Sequence, residues 1–247
     1  MAAFAPEAIF HIWSFPVTNT VLNTLLVDAG LLGAAFYIKN NVKKVPRLFQ
    51  NLVEVVVQAF YDMAEGIAGK NAATIFPYFM TFFLFILIAN WSGLIPGVGT
   101  IGFLDVGNAE HGKPEIIPFM RGTTSDANTT FALAIFSLLA THILAIRSVG
   151  IAEYLGRYFS FNPIMLFVGI LEIVSEITKV ISLSFRLFGN IYAGEVVLHT
   201  VSNLFAFIAP VPFMLLEIIV GLVQALVFSM LTMVFMSVLM TPHNAEH

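Results

Sequence analysis

The chain has 247 residues, of which 58% are hydrophobic and 11% charged, with a formal net charge of −4 and a mean hydropathy of +0.90. An ordinary soluble domain carries about a quarter of its residues as charges, so composition excludes that class and indicates a polytopic membrane protein. There is no cysteine, which removes disulfides, thiolate metal sites and cysteine nucleophiles, and no basic or acidic run is long enough for a nucleic-acid arm.

The apolar segments are too long for outer-membrane strands of about ten alternating residues, so the spans are expected to be helices that satisfy their own backbone hydrogen bonds. The expected fold class is all-α. The first residues, MAAFAPEAIFHIW, hold no Lys or Arg ahead of the first apolar segment and do not read as a cleavable signal peptide. Residues 17–38 form the first expected span, with Asp28 as its charge. Lys39, Lys43, Lys44 and Arg47 follow at once, which places that end in the cytoplasm and the N-terminus outside.

Residues 46–66 change pattern. Leu48, Leu52, Val55, Val56 and Phe60 oppose Asn51, Glu54, Gln58, Asp62 and Glu65, the signature of an amphipathic helix that lies along the membrane surface or packs on partner subunits. Residues 74–95 are the second span, with Asn90 and Trp91 near its far end. Residues 96–126 are rich in Gly, Pro and acids, have only Lys113 and Arg121 as bases, and fit a long external loop. Residues 127–147 return as the third span, and Arg147 and Arg157 mark a cytoplasmic loop.

The last third is different in kind. Residues 163–200 are continuously helix-permissive for close to twice a bilayer thickness at about 1.5 Å per residue. Such a helix tilts steeply, kinks near Gly189 or Gly194, or consists of two pieces joined at GNIYAG. Residues 210–240 pose the same problem with Glu217 as their charge. The two are read as a long, tilted antiparallel hairpin that leaves the C-terminus cytoplasmic. With no internal repeat, residues 1–247 are assigned to one membrane domain, and the tail TPHNAEH is expected to fray.

Charge inside these last helices is the strongest signal. Arg186 cannot shed its proton to ease burial, so at membrane depth it needs water, a partner carboxylate or a function. Glu172, Lys179 and Arg186 recur seven residues apart and share a helix face at about 100° per residue, a stripe that Asn190 extends. Glu195 turns away from that stripe on any straight helix. Glu217 and Gln224 share a face on the second helix, and in an antiparallel hairpin Glu195 and Glu217 can line one aqueous pocket. Glu176 and Lys179 are either an internal ion pair or part of an ion path. Glu172 either snorkels to the interface or serves that path. His142 is either a packing residue or a proton group, and His199, four residues after Glu195, can hydrogen-bond it. No pair has the spacing of a metal site, and no phosphate loop or nucleophile elbow is present. No metal, cofactor or self-contained enzyme is expected.

SLSFRLFGNIYAGE, followed by GLVQALVF, with FILIANWSGLIP and SDANTTFALA earlier in the chain, resembles subunit a of rotary F-type ATP synthases from about residue 20 onward. The resemblance implies a stator subunit of a multi-subunit ATP synthase, held in lipid against a ring of c subunits and a peripheral stalk of b subunits, with two aqueous half-channels. Arg186 matches the family's essential arginine, whose positive charge would keep the passing ring carboxylate ionised. Asn190 and Gln224 match its polar companions, and Glu195 and Glu217 the two positions lining the outer half-channel, where they would titrate as a unit. Glu172 matches a cytoplasmic-side polar position, and Asp126 and Asn128 lie in a motif where polar groups admit protons. The expected location is the bacterial cytoplasmic (inner) membrane. The competing readings are a transporter or channel that works alone and a non-transporting subunit of a respiratory complex.

Overall fold

The computed structural model describes residues 8–12, 15–43, 48–95, 101–105, 115–158, 163–204 and 209–241. Lys44 and Arg47 of the cationic cluster, Lys113 of the loop, the opening residues through Glu7 and the tail after Thr241 lie outside them. The described residues are dominated by α-helix: α1 (Asn19–Asn41), α2 (Leu48–Ala68), α3 (Ala72–Ser92), α4 (Ala127–Val149), α5 (Ile151–Tyr158), α6 (Pro163–Leu204) and α7 (Pro210–Leu239). Two antiparallel ribbons add to the helices: β1 (Ala8–Ile12) with β2 (Phe15–Thr18), and β3 (Gly102–Asp105) with β4 (Glu115–Pro118). Their aromatic and β-branched residues favour a pleated backbone, and the second ribbon falls within the segment read from composition as a loop.

Local chemistry sets the helix ends. Thr18 Oγ1 accepts the backbone N–H of Val21 at 3.4 Å at the start of α1, and Asp126 Oδ1 accepts that of Asn128 at 2.9 Å at the start of α4, the arrangement of N-capping side chains. Pro163 and Pro210 open α6 and α7, where a missing N–H costs nothing. Gly150, at φ 91°, closes α4 with its N–H on the Ile146 carbonyl, and α5 begins immediately. α5 is an addition to the sequence reading, which placed a loop there.

Among the described residues, four stretches are long and apolar enough to cross a membrane: Asn19–Asn41, Gln50–Ser92, Ala127–Val149 and Pro210–Leu239. α6 is one helix of 42 residues carrying Glu172, Glu176, Lys179, Arg186 and Glu195. GNIYAG is helical throughout, so α6 is not two pieces.

The chain gathers into two compact units, each from three stretches: Met1–Tyr37, Leu84–Thr130 and Arg186–Ala225 in one, Ile38–Phe83, Phe131–Phe185 and Leu226–His247 in the other. The core of the second unit is aromatic. Phe60 packs on Phe79 and Phe83 with ring centroids 5.7 and 4.8 Å apart, and Phe82 packs on Phe136 and Phe228 at 6.0 and 5.7 Å, spacings at which aromatic pairs add to simple burial. Between α4 and α7, Ser137 and Thr232 share a buried hydrogen bond of 2.8 Å. The exposed face of α2 carries Leu48, Leu52, Val55 and Val56.

α5 comes close to α6 at Gly169, where a Cβ would overlap the Tyr158 carbonyl. Small residues permit this kind of backbone approach in membrane proteins. Gly169→Ala is expected to cost about 1–3 kcal/mol by overpacking and to lower the thermal midpoint of the solubilised assembly. An unchanged midpoint would contradict the close approach.

Candidate functional site in the long helices

Each carboxylate of α6 has a cation. Arg157, at the end of α5, places Nε 2.9 Å from Glu172 Oε1. Lys179 Nζ donates to Glu176 Oε1 at 2.9 Å and lies 4.6 Å from the centre of the Phe235 ring, within range of a cation–π attraction. Glu176 is buried, and Ser137 and Thr141 of α4 line a small cavity with this pair. Two members of the expected heptad stripe, Glu172 and Lys179, are thus committed to neighbours in the second unit.

Arg186 and Asn190, the next members of that stripe, are exposed, and no carboxylate among the described residues pairs with Arg186. Phe188 and Tyr192 stack beside them with centroids 5.2 Å apart.

In the first unit the third carboxylate of α6 meets a cation from outside the helices. Arg121 sets Nε 3.2 Å from Glu195 Oε1 and Nη2 3.3 Å from Oε2, the two-pronged geometry that a planar guanidinium offers a carboxylate. Arg121 is 8% exposed. Its own carbonyl accepts Asn23 Nδ2 of α1 at 2.9 Å, and the same amide reaches Ser92 Oγ at 2.8 Å and Thr123 Oγ1 at 3.1 Å. The turn carrying Arg121 approaches the end of α3 closely, for a Cβ on Gly93 would stand 2.9 Å from Gly122 Cα.

Glu217 of α7 faces α6 at the residue before Glu195. A Cβ on Gly194 would stand 2.7 Å from Glu217 Oε1, so the missing side chain makes the space that Glu217 occupies. Glu217 is 7% exposed, and its Oε2 has no hydrogen-bond partner among the described residues. Glu195 and Glu217, joined on sequence grounds only by a hypothetical pocket, therefore adjoin, with Arg121 as an unforeseen third member.

α7 is held beside α3 through its backbone. Asn90 Nδ2 donates to the Gly221 carbonyl at 2.9 Å, Trp91 Nε1 to the Ile218 carbonyl at 3.1 Å, and Thr124 Oγ1 to Asn90 Oδ1 at 2.6 Å. Gly221 again allows the approach, since a Cβ there would lie 3.2 Å from Asn90 Cβ. Gln224, seven residues past Glu217, is half-buried.

The remaining candidates have local partners. Asp126 is buried, and besides capping α4 it accepts Thr20 Oγ1 at 3.2 Å. Asn128 is exposed and bonds Asp126 through its main chain. His142 Nδ1 shares a 2.8 Å hydrogen bond with the Tyr154 hydroxyl. His199 lies one turn beyond Glu195 on an exposed part of α6. Among the described residues, no group of three or more His, Asp or Glu is suited to a metal ion.

Sequence reasoning missed Arg121, Asn23 and Thr20. Arg121 offered one signal, as one of two cations in a loop with four acids, beside the SDAN motif, and Asn23 another, as an amide in an apolar span.

A sequence profile of the family described as "ATP synthase A chain" matches residues 20–237. The chain is 32% identical over 237 residues to "ATP synthase subunit a" of Moorella thermoacetica, covering 96% of this chain and 97% of the relative. It is 33% identical over 227 residues to "ATP synthase subunit a 2" of a Bradyrhizobium species, covering 92% and 91%. A match of this extent, on a multi-pass helical chain with paired charges in its long helices, shows that the protein belongs to the ATP synthase A chain family.

Proposed function

We propose that this chain is the static proton-conducting subunit of a rotary ATP synthase. Two aqueous half-channels lead to a ring of c subunits, b subunits of a peripheral stalk hold the chain in place, and α6 and α7 form a tilted hairpin against the ring. The N-terminus lies outside a bacterial cytoplasmic membrane and the C-terminus inside. The chain binds no nucleotide itself, and proton flow through it turns the ring to drive synthesis on other subunits.

The observation that carries this reading is that Arg186 is exposed and, among the described residues, has no carboxylate partner. Glu172, Glu176 and Glu195 of the same helix are each matched to another cation, and Asn190 beside Arg186 is exposed as well. A permanent cation cannot face hydrocarbon without a counter-charge, so a face that presents one outward is suited to a carboxylate on a neighbouring subunit. As each ring carboxylate arrives, Arg186 favours its ionised form and so drives its proton off into one half-channel. The same charge repels a proton that would cross directly between the half-channels. Glu217, buried with one oxygen unpartnered among the described residues, is suited to receive protons on the side where Glu195 stands.

Arg186→Ala in the assembled complex is expected to cut ATP-driven proton pumping at least about tenfold, equivalent to ~1.4 kcal/mol. Retained, coupled pumping would overturn the reading, as would steady ion transport by the chain reconstituted alone. Glu217→Gln removes a proton acceptor while keeping shape. It is expected to slow pumping about fivefold or more, ~1 kcal/mol, with assembly intact, and wild-type rates at every pH would contradict a titrating role.

A further inference from the structure

We infer that Arg121 is a positioning residue that holds Glu195 in an ion pair, leaving the adjoining Glu217 as the carboxylate that takes up and releases the proton. This rests on the proposed proton path and divides its labour.

The two carboxylates are treated differently by their surroundings. Both oxygens of Glu195 are engaged by one guanidinium, at 3.2 and 3.3 Å. Arg121 remains protonated at any physiological pH, and its position is fixed by its own carbonyl on Asn23 and by burial to 8% exposure. Loss of this two-pronged ion pair would leave the buried Arg121 cation uncompensated. Among the described residues, no cation pairs with Glu217. Its carboxylate fills the space opposite Gly194, and Oε2 lacks a hydrogen-bond partner among the described residues.

The charged and titratable groups around this point are Glu195 from α6, Glu217 from α7, Arg121 from the turn before α4, and His199 one turn along α6. Among the described residues, α3 contributes the neutral Asn90 and Trp91, bonded to α7 carbonyls. The step is a simple transfer: a hydronium ion gives its proton to a Glu217 oxygen and leaves as water, and the proton later departs toward the ring carboxylate with no change of oxidation state.

Counting charge makes the inference testable. With Glu217 ionised, the trio Arg121, Glu195 and Glu217 carries a net −1. Arg121→Gln removes the positive charge and takes the trio to −2, so the site holds its proton to higher pH. Glu195→Gln removes one and moves it the other way, and the double variant restores the original count.

The experiment is ATP-driven pumping against pH by the whole complex in membrane vesicles, for R121Q, E195Q, R121Q/E195Q and R186A. R121Q is expected to move the profile toward higher pH and to slow pumping at neutral pH about fivefold, E195Q to move it toward lower pH, and the double variant to return it toward wild type. If R121Q alone fails to assemble, an assembled double variant with a wild-type profile gives the same support. R121Q that scales the rate without moving the profile overturns the inference, as does a double variant no closer to wild type than R121Q, or E195Q that abolishes pumping. An unmoved R121Q profile beside a collapsed R186A overturns only the role of Arg121, whereas R186A with retained coupling overturns the functional reading itself.

Discussion

A charge inside a low-dielectric layer has to be paired, hydrated or used, and this condition organises the long helices. α6 and α7 carry six ionisable acids and bases of the Glu, Lys and Arg types: Glu172, Glu176, Lys179, Arg186, Glu195 and Glu217. Three ion pairs absorb Glu172, Glu176 with Lys179, and Glu195. What remains among the described residues is one exposed cation, Arg186, and one buried carboxylate, Glu217. Arg121 and Glu176 are the buried members of two of these pairs, so removing Glu195 or Lys179 would leave an uncompensated buried charge. The remainder is what a proton path can use.

The surroundings of Glu217 follow from the same physics at the backbone level. Helices in lipid gain little from hydrophobic association, so they associate through close packing and hydrogen bonds. Gly194 and Gly221 provide the first, bringing α6 to the Glu217 carboxylate and α3 to the α7 backbone. Asn23, Asn90, Trp91 and Thr124 provide the second. The polar residues of α1 and α3 thus act on the site indirectly, by holding in place the turn that carries Arg121 and the helix that carries Glu217. Removing a single amide from this set would leave two or three buried groups unsatisfied at once, each costing about 1–3 kcal/mol.

Much of this was legible before any fold was known. Length and apolarity identify α1, α3, α4 and α7 because a bilayer demands a minimum run of each. Arg186 stands out because no other residue type is so resistant to neutralisation, and the FRLFGNIYAGE context ties it to a family. The heptad arithmetic places Glu172, Lys179 and Arg186 on one helix face but cannot show that Glu172 is matched by Arg157 of another helix, whereas the Glu176–Lys179 pair, three residues apart, was one of two readings the sequence offered. Arg121 was hidden for a related reason: a loop's composition gives its side of the membrane but no distances, and the bond to Glu195 spans 74 residues. α5 was missed because its eight residues are too short for periodicity to register. The ribbons were missed because their strands are of four or five residues.

The central proposal is that Arg186, which has no carboxylate partner among the described residues, meets a carboxylate of the ring. A density map of the assembled complex tests this most directly. The account predicts that the Arg186 guanidinium faces a carboxylate of a neighbouring ring subunit, with no carboxylate of its own chain within about 4 Å, the usual ion-pair limit. An Arg186 closed onto Glu172, Glu195 or Glu217 and turned away from the ring would contradict it.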